Sequence, residues 1–62
     1  MALKDELRKL RGDKRRDEVA RDLNIAVSTL SMYENGKRIP RDEIKKKIAK
    51  YYKVSIEKLF FA

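Results

Sequence analysis

The side chains that most often carry covalent chemistry are missing from this sequence. There is no histidine, so the usual general base and the commonest metal ligand are absent. There is no cysteine, which rules out a disulfide framework and a thiolate metal site. The one acidic pair outside the first two predicted helices, Asp42-Glu43, opens a later helix, where carboxylates favour the dipole. No reaction, metal or cofactor is expected. What remains is charge: 17 lysines and arginines against 10 acids, a net +7 on 62 residues. A small basic domain of this kind suits a polyanionic partner. A lysine-rich surface that only maintains solubility accounts for the composition equally well.

The distribution of charge is more informative. Residues 1–23 carry eight basic and six acidic side chains, and residues 37–62 carry nine and three. Between them, residues 24–36 hold a single charge, Glu34. A neutral surface flanked by cations fits a partner whose backbone is gripped by charge and whose identity is read elsewhere.

The elements that must position this surface centre on 19–36, VARDLNIAVSTLSMYENG. Val19, Ala20 and Leu23 form one apolar stripe on a short helix. Asn24 tolerates the left-handed conformation of a sharp turn, and Ile25 is expected to be buried beneath it. A second helix, 27–35, puts Leu30, Tyr33 and Glu34 inward, and Asn35-Gly36 stops it. Two short helices joined in this way form a helix-turn-helix, whose second helix can enter a major groove. Ser28, Ser31 and Met32 then point outward. Apolar groups there can contact thymine methyls, and serines can bond either base type. No Arg, Asn or Gln on this face offers a bidentate base contact, so direct readout is expected to be modest and helped by DNA shape.

The run L-N-I-A-V-S-T-L-S-M-Y-E-N-G-K-R-I-P, 23–40, resembles the phage-repressor (Cro/cI-like, xenobiotic-response-element) helix-turn-helix family. Ala20, Leu30, Glu34, Gly36 and Pro40 sit where its pattern places them. The later run I-A-K-Y-Y-K-V-S-I-E-K-L, 48–59, resembles the family's second motif, so the likeness covers nearly the whole chain. The resemblance implies an all-α fold of about five short helices with a central helix-turn-helix, and a regulator, of the repressor kind, that binds double-stranded DNA. It places base contacts at Val27, Ser28, Ser31 and Met32, with Thr29 adjacent. It pairs Arg11 with Glu34. Arg15 and Arg16 stand where Ser-Gln usually opens helix two; the cap is weaker, but arginine binds phosphate well. The exit loop, Asn35 to Arg38, is expected to grip phosphates with its amides and with Lys37 and Arg38, joined by Arg41. Three departures stand out: a linker after Arg11 about two residues short, Lys14 where an apolar residue is usual, and Ala26 in place of a capping serine.

The remaining segments support this unit. Leu3, Leu7 and Leu10 mark an amphipathic first helix ended by Gly12-Asp13. Pro40 fixes the approach to helix four, whose stripe is Ile44, Ile48, Ala49 and Tyr52. Ser55 caps a fifth helix from Ile56 to about Phe60. The terminal Phe60 and Phe61 exceed what a short helix needs to bury. With Ile56 they are candidate anchors of a homodimer, although both rings can instead finish the core. A two-fold dimer would bind an inverted-repeat operator, its reading helices about 34 Å apart. At 62 residues one domain, 1–62, is expected. No apolar run approaches the roughly 18 residues of a membrane span, and the N-terminus does not resemble a signal peptide, so a cytoplasmic location is expected. The rival reading is a protein-interaction module, an antitoxin-like regulator that meets a protein partner through its C-terminal apolar surface.

Overall fold

Five α-helices, and no strand among the described residues, make up the computed structural model, which describes residues 3–60, Phe60 by its backbone alone. They are α1 Leu3–Arg11, α2 Arg16–Leu23, α3 Val27–Glu34, α4 Asp42–Tyr52 and α5 Ile56–Phe60. The core is Leu7, Val19, Ala20, Leu23, Leu30, Tyr33, Ile48, Ala49 and Leu59. Every helix contributes to it, and Leu3, Leu10, Ile25, Ile44, Tyr51, Tyr52 and Val54 pack around its margin. Ile25 is therefore half-buried at the edge of the turn rather than fully enclosed. The helix-turn-helix rests on the α2–α3 contact, α1 packs against α3, and α4 joins α2 to α5.

The sharp turns have a common mechanism. After α2, Asn24 adopts φ 59° and ψ 44°; its N–H bonds the Arg21 carbonyl, and the Ile25 N–H bonds the Ala20 carbonyl. After α3, Gly36 at φ 75° donates to Tyr33 and Lys37 donates to Met32. After α4, Lys53 at φ 57° donates to Lys50 and Val54 donates to Ala49. All three are left-handed caps that satisfy carbonyls otherwise lost at the helix end. A Cβ at Gly36 would lie 2.9 Å from Cδ of the exposed Lys4 side chain, which can move aside, so the positive φ is what calls for glycine there.

Two further positions bear on how the helices are joined. Pro40 is buried, and α4 begins only at Asp42 with Arg41 as its N-cap residue. The proline thus stiffens the loop ahead of the helix rather than occupying its first turn. Glu6 on α1 is buried, its Oε1 3.2 Å from Lys58 Nζ of α5, so an ion pair ties the first helix to the last.

A non-glycine residue in the left-handed region costs about 1–2 kcal/mol, partly offset for glycine by its larger unfolded-state entropy. Lys53→Gly is therefore expected to stabilise the fold by about 1 kcal/mol, raising the Tm by roughly 4–8 °C. Thermal unfolding followed by circular dichroism measures this, and an unchanged or lower Tm would contradict the strain at Lys53.

Candidate nucleic-acid interface

The interface is built outward from a buried carboxylate. Glu34 ends α3 with no exposed surface. Its Oε2 accepts a 2.8 Å hydrogen bond from Arg11 Nε. Its Oε1 lies 3.3 Å from Arg16 Nε, a contact of charges without hydrogen-bond alignment. One residue from each of α1, α2 and α3 therefore meets at this point. The hydrogen bond to Glu34 raises the Arg11 pKa above its usual value against the opposing effect of burial. Burial, reinforced by the negative charge of Glu34, pushes the Tyr52 phenol up to about 12.

This anchorage sets the orientation of α3. Leu30, Tyr33 and Glu34 face inward, while Val27 and Ser28 are exposed and Thr29, Ser31 and Met32 are half-buried. Ala26 is the N-cap residue and makes no side-chain cap, so Ser28 does not start the helix either. The first turn of α3 carries no acid. Ser31 is engaged within the protein: its Oγ accepts from Asn35 Nδ2 at 3.2 Å, and Asn35 Oδ1 accepts from Arg8 Nη2 at 3.0 Å. Nothing in the sequence alone marks Arg8 for this contact. Its spacing to Arg11, i to i+3, puts both on one side of α1, above the last turn of α3.

The exit loop differs from expectation in one respect. The amides of Asn35, Gly36, Lys37 and Arg38 donate to the carbonyls of Ser31, Tyr33, Met32 and Met32. They are spent on capping α3, so the loop offers its side chains rather than its amides. Lys37, Arg38 and Arg41 are exposed and form no ion pair among the described residues. Arg15 is exposed but engaged with Asp17 at 3.1 and 3.2 Å. The short linker is closed by Arg11 Nη1, which donates to the Lys14 carbonyl at 2.8 Å. The Lys14 ammonium lies 4.9 Å from the Tyr51 ring centroid, and Tyr51 donates to Asp22 Oδ2 at 2.8 Å. That hydrogen bond is the main reason the Tyr51 pKa is raised. Ile56 is 40% exposed on α5; the Phe60 side chain and Phe61, its companions in the expected dimer contact, lie outside the described residues.

Among the described residues, no group of three or more acids could hold a metal ion, and no helix is long and apolar enough to cross a membrane. The helix-turn-helix family matches residues 5–59, and the chain belongs to this Cro/cI-like family of DNA-binding transcription regulators. Comparison with curated proteins and with solved structures finds no match.

Removing one partner of a buried ion pair typically costs about 3–5 kcal/mol, against a total stability of about 3–5 kcal/mol for a domain of this size. Glu34→Ala is expected to be largely unfolded at 25 °C, and urea titration checks this; a wild-type midpoint would mean that Arg11 and Arg16 lose nothing. Tyr52 supplies a pH test. Its folded pKa lies above the unfolded value of 10, so its contribution is fully present below pH 10 and lost as pH rises toward about 12. Tyr52→Phe is expected to lose less stability than wild type over that interval; parallel curves would place the phenol in a water-like setting.

Proposed function

We propose that the chain is a repressor-type regulator that reads the major groove of double-stranded DNA with the outer face of α3. The observation that carries this reading is the fixed orientation of that helix. With Leu30, Tyr33 and Glu34 locked inward, Val27, Ser28, Ser31 and Met32 form a nearly neutral outer face. Thr29 borders it, and the segments before and after α3 carry exposed cations. Arg16, Lys37, Arg38 and Arg41 take the phosphate contacts, with Arg15 once it exchanges Asp17 for the backbone, and Arg8 joins them through Asn35. Phosphate contacts place the protein, and the few contacts from α3 specify the site. Residues 1–62 act as one DNA-binding domain. Two copies join through α5 about Ile56, with Phe60 and Phe61 completing the contact, and occupy the halves of an inverted repeat.

Selection from a pool of random duplexes, followed by sequencing, tests this. The expected outcome is an inverted repeat with half-sites about one helical turn, roughly 34 Å, apart. Ser28→Ala and Met32→Ala should relax the preference at separate positions, each by about 1–3 kcal/mol per base pair. An unsymmetrical motif would remove the dimer and keep the reading helix. No enrichment at low salt would leave only indiscriminate binding by charge.

A further inference from the structure

We propose that Glu34, besides seating α3, is the positioning residue for a DNA phosphate contact made by Arg16. The inference rests on the DNA-binding reading above and assigns the ligand chemistry of one part of it, a phosphodiester beside the start of α2.

The charges around Glu34 do not balance. One carboxylate faces two guanidinium groups, so the cluster is left with one positive charge in excess. The two arginines are used differently. Arg11 is 19% exposed and commits both Nε and Nη1, to Glu34 and to the Lys14 carbonyl. Arg16 is 41% exposed and directs only Nε at the carboxylate. That Nε is buried. The terminal amino groups of Arg16 are accessible and have no hydrogen-bond partner among the described residues. A guanidinium held by its inner edge presents its outer edge as a fixed pair of donors, the arrangement suited to a phosphate. Lysine cannot reproduce it, because a single ammonium must choose between the carboxylate and the ligand.

The surroundings favour an anion at this place. Arg15, the N-cap residue of α2, makes no side-chain cap, so the first amides of the helix lack a side-chain acceptor. Asp17 and Glu18 in the first turn oppose an incoming phosphate. Arg15 stands against Asp17 in a two-point contact, so its charge offsets that of Asp17 at this place whichever partner it takes. The excess charge of the Glu34 cluster then acts on the side where Arg16 emerges. The buried carboxylate thereby links two tasks: it fixes the angle of the reading helix and aims the cation that sets that helix against the strand.

Binding to a mixed-sequence duplex over a series of salt concentrations tests the link, since a phosphate contact does not depend on sequence. Each phosphate neutralised contributes about −0.9 to the slope of log affinity against log salt. Arg16→Met is expected to make the slope shallower by about 0.9. Glu34→Gln, shown to be folded by circular dichroism, is expected to make the same change, although it removes a negative charge and no cation. The double variant should lose no more than either single one. A purely structural Glu34 would leave the slope of the folded protein unchanged. Arg16→Lys keeps the charge at an accessible position and decides the matter should Glu34→Gln not fold; it is expected to lose affinity roughly tenfold, the scale of one charge-assisted hydrogen bond. A wild-type protein that binds the duplex while Glu34→Gln keeps its slope, or Arg16→Lys its affinity, overturns this inference alone. A wild-type protein that does not bind the duplex at low salt overturns the DNA reading with it.

Discussion

A carboxylate without access to water is the constraint on which this small fold depends. Moving an isolated ion into a protein interior costs several kcal/mol even after relaxation, as much as a domain of this size has in total. Glu34, at 0% exposure, is not isolated: Arg11 and Arg16 reach it from two other helices. The cluster is therefore better understood as a condition on geometry than as a source of net stability. Any displacement of α1, α2 or α3 that separates the charges is penalised. Packing of Leu30 and Tyr33 alone would tolerate a small rotation of α3; the carboxylate does not. A helix that must present side chains to a partner at fixed angles gains from such a constraint.

The helix termini show a second regularity. Four helices end in hydrogen-bonded left-handed caps, at Gly12, Asn24, Gly36 and Lys53, yet α2, α3 and α4 all begin without a side-chain cap. In α2 and α4 the acids Asp17, Glu18, Asp42 and Glu43 in the first turn offset the positive end of the helix dipole. In α3 nothing does. An uncapped helix start with no nearby acid is poorly satisfied in water and well satisfied by an anion. That it is the helix carrying Val27, Ser28, Ser31 and Met32 supports the view that its outer end meets a polyanion.

These contrasts also explain what could be read from the sequence. Asn24 and Gly36 were legible because their residue types favour a positive φ. Lys53 was not, since lysine carries no such signal and only the position of Val54 against the core requires the turn. The inward set Leu30, Tyr33, Glu34 followed from helical periodicity, as did the stripes of α1, α2 and α4; the count of five came with the family resemblance. Glu6 escaped notice because its charge outweighed its spacing: it lies three residues after Leu3 and four before Leu10, on the buried side of α1. The partners of Arg15 and Arg16 were hidden for a related reason. Two adjacent arginines at a helix start read as a solvated or phosphate-facing run, and nothing in one dimension shows that one of them turns back toward a carboxylate eighteen positions later. The exit-loop amides are spent on the carbonyls of Tyr33 and Met32 through the left-handed cap at Gly36, and residue types mark such a cap without marking which amides it consumes.

The short linker between α1 and α2 illustrates how charge replaces apolar packing here. A residue that would normally be buried ahead of helix two is Lys14, which cannot enter the core. Its ammonium sits instead over the Tyr51 ring, an attraction worth about 0.5–1 kcal/mol at an exposed site. Tyr51 is in turn held by Asp22 of α2 and stacked edge-on against Tyr52, with centroids 5.0 Å apart. Arg11, already fixed by Glu34, reaches the Lys14 carbonyl, so the linker is bonded to the same arginine that anchors α3. The link from core to linker to α2 thus passes through polar contacts that a longer, apolar connection would not need. It leaves Arg16, the first residue of α2, placed by the same carboxylate as α3 itself.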